Sequence, residues 1–169
     1  MHDIGDIVTV NDTMQTGYSY KLVAPEGEDY DDGFKPCFTP QEMLKMGVFE
    51  GKYINDCTKE FPKEWFKHAR LSATADPELN YFHIKSRQPL SVWVKKGWIV
   101  PPDPRGWFQW YCRYYMGRRI PAVDEFQIKR WRAFARHEAQ VKKNCAPGDE
   151  ACRPRQRQAL LQWSHDCFV

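Results

Sequence analysis

Gly106-Trp107-Phe108-Gln109-Trp110-Tyr111-Cys112-Arg113-Tyr114-Tyr115-Met116-Gly117-Arg118-Arg119 crowds aromatic rings and three arginines into a few helical turns, and its reading decides the fold. Just before it, Pro101-Pro102-Asp103-Pro104 breaks the chain and leaves Asp103 as a helix cap with Pro104 in the first position. The spacing therefore predicts a helix from 104 to about 116, ended by Gly117. On that helix Trp107, Trp110, Tyr111 and Tyr114 fall on one stripe, and Phe108, Cys112 and Tyr115 line a second. A helix apolar over so much of its circumference belongs at the centre of a fold. The same rings and cations also suit stacking on bases, or pairing with phosphate or carboxylate, so core and ligand readings both stand at this point.

Downstream, Asp124 can cap a longer helix reaching about Lys143, with Ile128, Trp131 and Ala135 on its inner face. Lys129, Arg132, Arg136 and Lys143 recur at helical spacing and make a basic ridge on another face. The segment from Cys145 to Cys152 reads as a loop. Pro154 starts a last helix with Leu160, Leu161 and Trp163 inward and Arg153, Arg155 and Arg157 near its beginning. Positive charge there opposes the helix dipole, a cost that a bound anion would relieve.

Upstream, residues 4–10 and 18–24 are rich in β-formers and predict a hairpin, with Tyr18, Tyr20 and Leu22 sharing a face. Residues 26–33 form an acidic loop whose Asp-rich run lacks the closing Glu of a calcium loop. Thr39-Pro40-Gln41-Glu42 has the form of a capping box and predicts a helix ended by Gly47. Shorter helices are expected from Pro62, carrying Trp65, Phe66 and Ala69, and from Pro89 to Gly97, where Val92-Trp93-Val94 also fits a strand. The expected fold is α+β: one mostly helical domain over 1–169, with the hairpin and acidic loop in 1–35 and a helical core in 36–169.

The chain of 169 residues carries a net charge of +3, with 42% hydrophobic and 15% aromatic residues, and it has no linker or repeat. Charge divides unevenly, eight Lys and Arg against fifteen Asp and Glu before residue 81, seventeen against seven after it. The basic C-terminal half invites an anionic partner, or it lies partly against the acidic half of the same domain. Met1-His2-Asp3-Ile4-Gly5-Asp6 has neither a basic nor an apolar leader region, and no window reaches a membrane span of ~20 apolar residues. A cytoplasmic protein with mostly reduced cysteines, bound to no membrane, is the expectation.

Function is sought first in a cationic surface for nucleic acid, in which Arg113, Arg118, Arg119, Lys129, Arg132, Arg136 and Arg155 meet phosphates. The alternative is a small enzyme or ligand-binding protein with an Arg- and aromatic-lined pocket, where Arg113, Arg118, Arg119 or Arg130 holds the phosphate or carboxylate of a small molecule. His83, His137, Cys112, Asp124 and Glu125 are the available acids, bases and nucleophiles, but no catalytic arrangement is recognisable. No cofactor is predicted. A zinc site drawn from His137, Cys145, Cys152, His165 and Cys167 is a lesser alternative, since Cys145 and Cys152 are too far apart for a standard knuckle and suit a loop disulfide or two free thiols equally well. Phosphate loops, nucleophile elbows, His-Glu-x-x-His and dinucleotide fingerprints are all missing.

The runs Gly106–Arg119 (GWFQWYCRYYMGRR) and Arg155–Trp163 (RQRQALLQW) resemble stretches in a group of uncharacterised hypothetical proteins, and the resemblance extends back to Thr39–Gly47. It implies one continuous domain and carries no activity or site residue.

Overall fold

The computed structural model describes residues 2–169. Two antiparallel strands, β1 (Ile7–Asn11) and β2 (Thr16–Lys21), are joined by a short loop in which Asp12 accepts the backbone N–H groups of Met14 and Gln15. Alternation does the rest: Val8, Val10 and Tyr20 turn inward, and Leu22 follows them just past the strand. The helices are α1 (Pro40–Met46), α2 (Leu90–Lys95), α3 (Trp107–Met116), α4 (Pro121–Ala133), α5 (Ala135–Asn144) and α6 (Pro154–Gln162). The protein is thus a mostly helical α+β domain with an N-terminal hairpin. Among the described residues no helix is long and apolar enough to cross a membrane.

The capping box at α1 is formed. Thr39 Oγ1 accepts the Glu42 N–H at 3.1 Å and Glu42 Oε1 accepts the Thr39 N–H at 2.9 Å. The helix expected from Pro62 is only a single turn, Lys63–Phe66, while the segment after Pro89 is helical.

α3 lies at the centre, with every residue buried except Tyr115. Phe34, from the end of the acidic loop, inserts its ring among the Trp107, Trp110, Tyr111 and Tyr114 stripe and Trp131 of α4, each of the five contacts edge-on at 5.1–6.5 Å between centroids. Edge-on pairs of this kind add about 0.5–1.5 kcal/mol each beyond area burial. The second stripe packs elsewhere: Phe108 meets Phe49 and Tyr53, and Tyr115 meets Trp65. Gly117 ends α3 at φ 124°, and a Cβ there would stand 2.2 Å from the carbonyl oxygen of Ala24, which fixes the close approach of the chain leaving β2.

Four sequence expectations change. α3 starts at Trp107 with Gly106 as its cap, because Asp103 is fully buried and bound to arginines, not to helix N–H groups. The single helix expected to run from Asp124 to Lys143 is two, parted at Phe134, whose ring leaves the helix line to stack on Trp163 at 15°. Asp124 sits in the first turn of α4, reaching back to accept the Ile120 N–H and taking the Trp110 indole N–H on its other oxygen. Ile128 and Trp131 face inward as expected, but Ala135 is exposed and Val141 takes the inner position.

Candidate functional site: an aromatic cavity with two arginines

The arginines of the α3 region divide by what the fold gives them. Arg113 is fully buried and donates to Glu60 through Nε at 2.7 Å and Nη2 at 3.0 Å, to Asp103 at 3.0 Å, to Pro102 O and to Gln15. Arg118 pairs bidentately with Asp103 at 2.7 and 2.6 Å. Both guanidiniums lie against the Tyr20 ring. Burial works against the charged form of each arginine, but the hydrogen bonds and charges of Glu60 and Asp103 outweigh it and hold both pKa values above the ordinary one. Arg105 is matched likewise by Asp56 and Asp12. These cations join the hairpin, the 56–60 segment and the 101–105 turn to α3. The expectation that Arg113 and Arg118 meet a ligand is therefore corrected, since internal carboxylates occupy them.

The other arginines and lysines named from sequence lie apart. Arg119 is half-buried, stacked 3.7 Å from the centre of the Tyr114 ring, and donates to the carbonyls of Tyr114, Arg118, Glu28 and Asp29, clamping the acidic loop to the end of α3. Lys129, Arg132 and Arg136 are exposed on α4 and α5. Arg155 is exposed at the start of α6, but Arg157 is fully buried and donates to the carbonyls of Cys152 and Cys167. The three arginines around Pro154 accordingly do not form one open anion site. The zinc alternative meets a covalent obstacle: Cys145 and Cys152 form a disulfide. His137 is hydrogen-bonded to Gln156, and His165 stacks on Trp131. Among the described residues no three His, Cys, Asp or Glu side chains converge as metal ligands.

Arg130 is placed differently. It borders a cavity of about 250 Å³ between α2, the start of α3, α4 and α6. The rings of Trp93, Trp98, Trp107, Phe108, Phe134 and Trp163 line it together with Phe49 and Tyr53. The Arg130 guanidinium lies 5.2 Å from the Trp163 ring centre and donates to Trp98 O and Gln127 Oε1, neither of them charged. A second guanidinium, Arg87, borders the same cavity. It lies 5.9 Å from the Phe49 ring centre and donates to Lys52 O, and its nearest carboxylate, Glu50, stands 3.7 Å away. Burial lowers the pKa of both arginines, with Glu50 offsetting part of the effect at Arg87 and only Tyr53 doing so at Arg130. Unlike Arg113 and Arg118, these two are half-buried cations with no carboxylate hydrogen-bonded to them among the described residues.

The cavity wall is held by a left-handed turn. Phe49, Glu50 and Gly51 have φ of 52°, 60° and 76°. For residues bearing Cβ this region costs roughly 1–2 kcal/mol each. Buried amides hold it in place: Gln162 Oε1 accepts the Phe49 N–H at 3.0 Å and Asn80 Oδ1 accepts the Glu50 N–H at 2.7 Å. Gln162 also takes a hydrogen from Gln158 and donates to Ser86 O, while Gln158 binds Gly47 O and the Phe82 N–H. Two glutamines one turn apart on α6 thus tie three upstream segments around the cavity.

Sequence reasoning placed Arg130 in a pocket but passed over Arg87, Trp93, Trp98 and the Phe49–Gly51 turn. Gln158 and Gln162, polar residues one turn apart that flank the apolar pair Leu160 and Leu161, were the available signal for α6. The lining offers cations, amides, hydroxyls and rings. The Tyr53 hydroxyl donates to Arg105 O and burial drives its pKa upward, so it is no ready base. No family model, curated protein or solved structure matches the chain, and the site rests on its own geometry.

Proposed function

We propose that this protein binds a small molecule with an aromatic body and an anionic group, the body between the rings of the cavity and the anion on Arg87 and Arg130. The observation that carries this reading is the pair of under-compensated guanidiniums at the edge of one aromatic cavity. Binding supplies the missing counter-charge, and a guanidinium fork accepts a carboxylate or phosphate in two hydrogen bonds. A ring of benzene size occupies roughly 150 Å³ of engineered protein cavity, so about 250 Å³ suits one or two fused rings. No acid, base or nucleophile of recognised arrangement lines it, which favours a binding protein over an enzyme. The test is a titration with indole-3-propionate followed by tryptophan fluorescence and thermal melting. The expected result is a saturable signal, a Tm that rises with ligand by mass action, and affinity reduced at least tenfold in Arg130→Met but unchanged in Arg136→Glu. A flat response from a panel of aromatic carboxylates and phosphates at millimolar concentration overturns it.

Nucleic-acid binding is the second reading, supported by the exposure of Lys129, Arg132 and Arg136, for which no carboxylate partner lies within ion-pair distance among the described residues. It requires oligonucleotide affinity that falls steeply with salt and weakens in Arg132→Glu and Arg136→Glu. A cytoplasmic location accords with four free thiols, three of them buried, while the Cys145–Cys152 bond favours an oxidising compartment.

A further inference from the structure

Glu50 is 3% exposed, and among the described residues nothing donates a hydrogen bond to its Oε1. Its ion-pair partner among those residues is Arg87, whose Nε stands 3.7 Å from that oxygen, a charge contact without a hydrogen bond. Glu50 lines a second cavity of about 380 Å³, bordered by more charged residues, that adjoins the aromatic one, and Tyr53, Arg87, Gln88 and Trp93 form walls of both. The other carboxylate lining this second cavity, Asp56, is bound by Arg105 at 2.7 Å. Lys52 and Lys85 also border this space but are exposed and outside ion-pair distance of Glu50. The junction therefore holds one buried carboxylate with an unused oxygen beside one half-buried guanidinium to which no carboxylate is hydrogen-bonded among the described residues.

We propose that the ligand head bears both signs of charge: the site selects an aromatic zwitterion of the amino-acid type, with its carboxylate on Arg87, its ammonium on Glu50 Oε1 and its ring in the aromatic cavity. This rests on the small-molecule reading above and narrows it. A plain anion that engaged Arg87 would draw off the one cation within ion-pair distance of Glu50 among the described residues and bring a second negative charge beside a buried carboxylate, which is costly. A plain cation on Glu50 would face Arg87 uncompensated. A head carrying donor and acceptor together supplies both residues at once. The left-handed backbone at Glu50 aims a charged side chain where glycine would sit more easily, the kind of retained strain found at functional positions.

The experiment is calorimetric titration of the intact protein at pH 7 with L-phenylalanine, 3-phenylpropionate, which lacks the ammonium, and phenethylamine, which lacks the carboxylate. L-phenylalanine is expected to bind at least tenfold tighter than either analogue. In Glu50→Gln that advantage disappears: L-phenylalanine falls to the level of 3-phenylpropionate, whose own affinity holds or improves. The proposal is overturned if 3-phenylpropionate binds the unaltered protein as tightly as L-phenylalanine, a comparison that needs no variant, or if Glu50→Gln weakens both ligands equally. Binding of 3-phenylpropionate without preference for the zwitterion removes only this inference. Failure of all three ligands, together with the aromatic anions above, removes the cavity reading as well.

Discussion

Asp103 grips Arg118 with both carboxylate oxygens, at 2.7 and 2.6 Å, and the same carboxylate reaches Arg113 at 3.0 Å, wholly out of water. One acid from the turn before α3 thus answers two bases, one on the helix and one just past its end. Arg113 keeps Glu60 if Asp103 is neutralised. Arg118 then has no carboxylate within reach.

Asp103→Asn is accordingly expected to lower stability by about 3–5 kcal/mol, the usual penalty for breaking a buried pair from one side. Urea denaturation measures it. The double variant Asp103→Leu with Arg118→Met removes both charges and is expected to cost clearly less than Asp103→Asn alone. A loss below about 1 kcal/mol for Asp103→Asn would show that water reaches Arg118.

Ala159 stands on α6 at the cavity wall. Ala159→Phe places a ring where the ligand body would lie, so binding of indole-3-propionate is expected to vanish while Tm holds or rises, as cavity filling commonly adds about 0.5–2 kcal/mol. Retention of binding in a folded Ala159→Phe variant would move the ligand to another site.

Thiol chemistry gives a pH-dependent check. Burial pushes the Cys57 and Cys167 thiols up to about 12 and raises Cys112 as well. Only Cys37 is exposed among the four free thiols, and its pKa is raised by partial burial, then by Asp166 and Glu138. Ellman's reagent is expected to label one thiol in the folded chain, at a rate still climbing above pH 9, and none in Cys37→Ser. The stability linked to Cys57 and Cys167 is present below the ordinary thiol value of 9.0 and is lost as pH rises toward about 12. Denaturation midpoints should therefore fall progressively through that window. Rapid labelling of two or more thiols at pH 8 would contradict the burial.

The parts of the fold legible in the sequence are those set by local rules. The Thr39–Glu42 box, the Gly117 stop, the Pro154 start and the alternation in the hairpin each depend on residues within one or two turns of each other. What escaped depends on distant partners. Asp103 has the form of a cap, and only the approach of Arg113 and Arg118 shows why it faces inward. Phe134 continues the helical spacing of α4, and only Trp163 explains its departure. The candidate site is the extreme case, since Arg130 could be suspected from its neighbours in the chain, whereas Arg87 and Glu50 gain meaning only from a cavity assembled by segments more than a hundred residues apart. The basic half, read as one surface, proved to hold several kinds of cation: Arg113 and Arg118 locked to acids inside, Arg119 and Arg157 bound to backbone carbonyls, Arg87 and Arg130 at the cavity, and Lys129, Arg132 and Arg136 facing water.

The left-handed turn at Phe49–Gly51 sets backbone ease against side-chain placement. Glycine or asparagine at positions 49 and 50 would occupy that backbone region at little cost, so Phe49 and Glu50 hold their places against the local preference of the chain. The cavity wall is the part of the molecule where the easier backbone and the side chains present pull in opposite directions.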